Sequence, residues 1–407
     1  MYDFANTIYS AIVVTAYLPR FVKALVGREV YTGLAHTLSM VVAGLIVPVA
    51  GAWADRTGRA KRYLWWLTIA CCVLTCAIGL VGNDASYDAD AGRAAPTFVV
   101  VAVLLLYALA NLTYEGSLVF YNTLLPEVAS AGKQGRVSGL GVGLGYLGVV
   151  IALPIAYVVV EATGAMRSAF LVAGPLFFLS AIPLFALVRS RRPVRKVPFR
   201  AAVVGEQFRR LGQTLRDIAR RRGVLLFFVG NFLVVDVVNT MIMWTRPYLE
   251  EGAGFTPKES IYALIAMSVS AFVLGMAMGW LTDRFGAKRT ILAAAASILL
   301  CIVVAGTVRS KAVLMGVILL FGSGGLAGVW VAGRKFLLEV APPGKVGAFF
   351  GLYGVTVKLS VLGCTLFAAL ADWVGYRPAL ASLLAPLIAG LICLSLSRPR
   401  RAEAAES

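Results

Sequence analysis

The sequence predicts an all-α membrane protein with twelve transmembrane helices in two pseudo-symmetric six-helix bundles. Three observations carry this expectation. First, the 407 residues are 59% hydrophobic and only 14% charged, with a mean hydropathy of +0.83, whereas soluble globular chains carry roughly 25% charged residues. Second, apolar windows of about 20 residues, enough to cross a hydrocarbon core of about 30 Å, recur from one end to the other. Third, the second half repeats landmarks of the first.

In chain order the windows are expected near 4–26, 31–53, 63–82, 96–122, 137–160, 166–188, 223–248, 259–282, 290–308, 311–333, 346–370 and 378–397. The first opens at Tyr2 without a basic leader and outruns a signal peptide, so it is expected to persist as a membrane helix. The fifth contains Gly143-x-Gly145-x-x-Gly148, which spells a dinucleotide-binding fingerprint. That fingerprint works only between a strand and a helix, and here no strand signal precedes it. Glycines at 141, 145 and 148 instead have the spacing by which membrane helices approach closely. Asn111-Leu112-Thr113 matches a glycosylation sequon but falls inside the fourth window.

The expected domains are an N-terminal bundle over 1–189, a basic cytoplasmic linker over 190–222, a C-terminal bundle over 223–397 and a cytoplasmic tail over 398–407. The stretch from Arg189 to Arg222 holds 12 basic residues. Within it Phe208, Leu211, Leu215 and Ile218 recur at helical spacing, with Arg209, Arg210, Arg216 and Arg220 elsewhere on the wheel. This reads as an amphipathic helix on the inner leaflet or as a solvated linker that fixes topology.

The net charge of +18 does not call for nucleic acid. With both termini cytoplasmic, 27 of the 38 lysines and arginines fall in inner loops and the tail, the positive-inside bias of a multi-pass protein of the cytoplasmic membrane. Cysteines 71, 72, 76, 301, 364 and 393 all lie in expected helices, and His36 has no second ligand nearby. Neither metal nor cofactor is expected, and the chain is expected to act as a monomer.

The repeat is specific. Gly51, Asp55, Arg56 and Gly58 recur as Gly279, Asp283, Arg284 and Gly286 at an offset of 228, shared by Pro19 and Pro247. Lys133, Gly135, Gly139 and Leu140 recur 212 residues later, the difference matching a longer third outer loop in the first half. Parallel six-segment repeats suit two bundles rocking around a mid-membrane site.

Tyr2-Asp3-Phe4-Ala5-Asn6-Thr7, Tyr121-Asn122-Thr123-Leu124-Leu125-Pro126, Ser138-Gly139-Leu140-Gly141, Asp236 with Asn239-Thr240, and Phe349-Phe350-Gly351-Leu352-Tyr353 with Lys358 carry a resemblance. Together they resemble the autophagy-related vacuole effluxer-like branch of the major facilitator superfamily. The two Gly-x3-Asp-Arg-x-Gly loops are similar to the superfamily signature between second and third helices. The resemblance implies a relative of a fungal exporter that moves amino acids out of the vacuole. The fifth helix lacks the full Gly-Pro-x-x-Gly-Gly element of drug antiporters, which argues against drug efflux.

Ionisable groups inside a bilayer are costly, roughly 2.5 to 3.5 kcal/mol each, and mark functional sites. Asp3, Glu115, Asp236 and Lys358 are the candidates, with Asn6, Asn111, Asn122, Asn231 and Asn239 as neutral partners. At 1.5 Å per residue, Asp236 and Lys358 lie about 20 Å and about 18 Å from the inner ends of their helices. Lys358 is expected to hold a substrate carboxylate, with Asp236 as ammonium partner or proton carrier; a permanent salt bridge is the other reading. Glu115 and Asp3 titrate at the inner mouth, or serve as a structural hydrogen bond and a helix cap respectively. The Asp55-Arg56 and Asp283-Arg284 loops are gating latches or topology-setting turns.

The expected function is therefore secondary transport by alternating access: proton-coupled export of a small polar or zwitterionic solute such as an amino acid. Alternatives are another metabolite, a lipid-like solute, or a non-transporting scaffold or receptor. No enzyme motif is present, such as His-Glu-x-x-His, Gly-x-Ser-x-Gly or a phosphate-binding Gly-x4-Gly-Lys run.

Overall fold

A computed structural model describes residues 2–82, 87, 92–128, 134–188, 201–341 and 346–397, and every element among them is helical. The expected tail, 398–407, lies outside the described residues, as do linker residues up to 200.

The first six membrane helices are α1 (Tyr2–Val26), α2 (Val30–Thr57), α3 (Ala60–Val81), α4 (Thr97–Val128), α5 (Gln134–Thr163) and α6 (Ser168–Leu187). The linker forms the amphipathic helix α7 (Ala201–Ala219). There follow α8 (Arg222–Gly252), α9 (Pro257–Phe285), α10 (Ala287–Thr307), α11 (Lys311–Val340), α12 (Val346–Leu359), α13 (Leu362–Val374) and α14 (Tyr376–Leu396). Eleven spans among the described residues are long and apolar enough to cross a bilayer, α12 and α13 sharing one; α2 adds the shorter apolar stretch Val30–Ile46.

The chain resolves into two compact units. One comprises the first six membrane helices with Met243–Pro247, and the other begins at Ala201 and comprises the remainder. Large apolar side chains such as Leu38, Val73, Leu80 and Phe98 are exposed, the surface that lipid rather than water favours.

Inside the first unit the buried polar groups pair across helices, as they must without water. His36 on α2 meets the Tyr107 hydroxyl on α4 at 2.7 Å, and one turn along Asn111 donates to Ser39 Oγ at 2.8 Å. Asn111 is thus buried and committed, which rules out the sequon. The glycine-rich stretch packs against α1. A Cβ on Gly148 would stand 2.6 Å from the Phe4 carbonyl oxygen, and one on Gly145 would stand 2.9 Å from Thr7 Oγ1. Only glycine admits this approach of two backbones.

Helix ends are capped by recognisable devices. Thr256 and Glu259 form a reciprocal capping box at the start of α9, with Pro257 at its first position. One device is repeated in both units. Lys61, early in α3, donates to the Val188 carbonyl that closes α6, and Lys288, early in α10, donates to the Ser395 and Ser397 carbonyls that close α14. In each unit a lysine thus satisfies the otherwise orphaned carbonyl end of the sixth span.

Candidate functional site

The second unit places its candidate residues around a broken helix. Ser360 still donates its amide to the Thr356 carbonyl, but Val361 leaves the helical region at φ −142°, ψ 8°. The Ser360 hydroxyl bonds back to Thr356 at 2.7 Å, a bond that bends helices. The span therefore stops at Leu359 and restarts at Leu362, and the new helix begins with amides that lack helical acceptors.

In hydrocarbon each such amide costs several kcal/mol if unsatisfied. Asp236 on α8 supplies the acceptor: its two carboxylate oxygens lie 2.9 and 3.1 Å from the Gly363 amide. Asn239, three residues on and so on the same face, treats the other side of the break. Its Nδ2 donates to the Ser360 carbonyl at 2.6 Å and more weakly to the Val357 carbonyl at 3.4 Å. Gly363 is required for the approach, because a Cβ there would collide with Asp236 Oδ2 and stand 2.9 Å from Thr240 Oγ1.

The electrostatics agree with the geometry. Asp236 faces the positive end of α13, while Lys358 is half-buried in the last turn of α12, at that helix's negative end. One turn before Asp236 and beyond, Asn231 and Tyr353 converge on Gly333, whose added Cβ would be 3.2 Å from Asn231 Oδ1 and 3.1 Å from Tyr353 Oη. Among the described residues neither the Asn231 amide nor the Tyr353 hydroxyl reaches hydrogen-bond geometry with another group. Buried polar atoms of this kind are contact points a polar solute can satisfy.

In the first unit the candidates gather where α1 crosses α3 and α4. The Tyr121 hydroxyl donates to the Asp3 carboxylate, and Tyr2, its ring 4.9 Å from that of Tyr121, shares its hydroxyl with Thr68 and Ser117 at 2.7 and 3.0 Å. Asn6 is buried beside Thr7, which donates to both the Asn6 amide oxygen and the Asp3 carbonyl. Tyr9 stacks on Tyr114 at 4.6 Å, its hydroxyl buried without a hydrogen-bond partner among the described residues and within electrostatic range of buried Glu115. Asn122 lies on α4, but its side chain is outside the described residues.

The latch loops divide. The side chains of Asp55 and Arg56, and the surroundings of Gly51, lie outside the described residues, whereas Gly58 ends α2 at φ +64°. In the second unit Gly279 lies on α9 and Gly286 turns the chain at φ +89°. Asp283 pairs with Lys335 of α11, and Arg284 lies over the Trp280 and Phe285 rings at 5.1 and 5.6 Å. Asp283 is exposed, so this pair is worth at most about 1 kcal/mol.

Sequence reasoning missed Tyr121, Ser360, Gly363 and Lys335. Tyr121 carried a readable signal, a hydroxyl next to Asn122 in an apolar window. Ser360 and Gly363 carried none, since both are common in intact membrane helices.

The geometry can be set beside known proteins. The chain is 25% identical over 97% of its length, and 92% of the relative's, to the uncharacterised MFS-type transporter YxiO of Bacillus subtilis. It is 27% identical to autophagy-related protein 22-1 of Aspergillus niger over 61% of this chain and 44% of that one. In fold it is similar to the nucleoside transporter NupG (TM-score 0.71, 13% identity, 98% of both chains). It is also similar to a D-xylose-proton symporter (TM-score 0.69, 12% identity, 97% and 95%). The family model described as Major Facilitator Superfamily matches residues 4–360 and 235–407, and the chain, with its helical spans and repeated loops, belongs to that superfamily.

Proposed function

We propose that this transporter exports a small zwitterion, an amino acid being the leading class, with Asp236 and Lys358 as its charged contacts and a proton as coupling ion. The observation that carries the reading is the break between α12 and α13. There a carboxylate on α8 holds an amide in the first turn of one half-helix while a lysine sits in the last turn of the other. A zwitterion offers the complementary pair: an ammonium that can compete for Asp236 and a carboxylate that Lys358 attracts. Protonation of Asp236 would weaken its hold on the Gly363 amide, which links a proton to the geometry of the span.

Asp3 and Glu115 form the second acidic pole, and Asn6, Asn122 and Asn239 are neutral contacts. The resemblance to the vacuole effluxer-like branch supports amino-acid export. The positive-inside pattern supports both ends lying inside; in this reading the chain is a monomer of the cytoplasmic membrane, with 1–189 and 223–397 as the transporting bundles and Asp55-Arg56 and Asp283-Arg284 as their latches.

The test is counterflow of labelled amino acids into proteoliposomes preloaded with an unlabelled mixture, at two pH values, for the wild type, Lys358→Ala and Asp236→Asn. Uptake is expected in the wild type, a loss of at least about tenfold in Lys358→Ala, and loss of pH dependence in Asp236→Asn. Absence of counterflow for every amino acid with folded protein excludes the amino-acid reading.

A further inference from the structure

Between α7, the first turns of α8 and the second half of α12 is a cleft of about 640 Å³, within the roughly 300 to 1,000 Å³ typical of small-molecule sites. Its floor is made by buried Ile218, Phe228 and Leu352, while Leu215, Leu225 and Val229 line it yet remain exposed. Arg216 is the one charged residue of the lining.

The rim has a matching character. Arg209, Arg216 and Arg220 share one helical face by their spacing of seven and four, and with Arg221 and Arg222, which follow the helix, all are exposed. Arg210 is already engaged by Glu206 at 2.5 Å. An apolar slot that opens beside a cluster of guanidinium groups has the chemistry of an acyl chain ending in a negatively charged head. Arginine forks suit phosphate oxygens, and basic side chains on an interfacial helix attract anionic lipid. A neutral lipid would fill the slot but leave the cluster unanswered.

We propose that the cleft is a site for one acyl chain of an anionic phospholipid, its phosphate held at Arg216. Occupancy reaches the transport machinery by a short route. Phe232 and Leu233 of the lining are within one turn of Asp236, and Thr356 of the lining accepts the Ser360 hydroxyl at the helix break. The lipid therefore lies between α8, which carries Asp236, and α12, the helix that ends at the break. The site is independent of which solute is carried, so it stands or falls apart from the counterflow result.

The experiment is native mass spectrometry of the full chain in detergent, titrated with phosphatidylglycerol or phosphatidylcholine of identical acyl chains, alongside Arg216→Gln and Val229→Trp. Both variants must match the wild-type unfolding temperature. The wild type is expected to retain phosphatidylglycerol at least about fivefold better, the weight of one basic residue at an anionic surface. Arg216→Gln is expected to abolish that preference, and Val229→Trp, by filling the slot, to reduce retention of both lipids. Equal retention of the two lipids by the wild type would overturn the proposal. So would a preference unchanged in both variants, which assigns it to diffuse charge, or displacement by glycerol phosphate as effective as by the lipid, which leaves the acyl chain no role.

Discussion

At the scale of single residues, the Asp236 carboxylate does two jobs that substitution can separate: it accepts from the Gly363 amide and it places negative charge at the start of α13. Asp236→Asn keeps an acceptor oxygen and removes the charge, with an expected loss of up to about 2 kcal/mol for a partly buried helix end. Asp236→Ala orphans the amide and is expected to cost several kcal/mol. Gly363→Ala drives a methyl into the carboxylate and should fall with the alanine variant. Thermal unfolding in detergent checks the order, and equal melting of the Asn and Ala variants would show that the amide is satisfied some other way. Asp3, Glu115, Asp236 and Lys358 were legible because an ionisable side chain in an apolar window is conspicuous. What they touch was less legible: Tyr121 stood in a motif but 118 positions from Asp3, and Gly363 is an ordinary residue 127 positions from Asp236.

At the scale of elements, the spans could be read approximately because the bilayer imposes a minimum apolar length on each of them. The interruption of the eleventh span could not. Lys358 to Cys364 stays apolar on average, and the break depends on Ser360 bonding backwards and on the acceptor Asp236 and the donor Asn239 supplied by α8. The glycine motif shows the opposite situation, where local spacing did announce a contact. Gly148 meets the backbone oxygen of Phe4, which cannot swing aside as a side chain could. Gly148→Val is therefore expected to destabilise the α1 and α5 pair by about 1 to 3 kcal/mol or more. The measurement is the unfolding midpoint, with Leu147→Val, at an exposed neighbouring position, expected to be near neutral. If the two variants melt together, the helices have room to part.

At the scale of the whole molecule, the repeat visible in the sequence reappears as repeated physics. Gly58 and Gly286 both turn at positive φ after the second span of their halves, and Lys61 and Lys288 both close the carbonyl end of the sixth. The charge distribution leads to a prediction at the same scale. A fluorescent-protein fusion after Ser407 is expected to fluoresce and an alkaline-phosphatase fusion at the same point to be inactive; the reverse pattern would invert the proposed topology. Family membership followed from features spread over the chain, whereas the identity of the solute depends on a few contacts that hydropathy and spacing do not encode.

The repeated lysine caps also order events in time. Lys61 and its acceptor are 127 residues apart, Lys288 and Ser395 107 apart. At roughly 5 to 20 residues per second of synthesis, Lys61 waits about 6 to 25 s before the Val188 carbonyl exists to receive it. Each half thus becomes self-contained only when its own last span has emerged. The bond that ties third to sixth helix acts as a closing stitch for one newborn bundle and then, later, for the other.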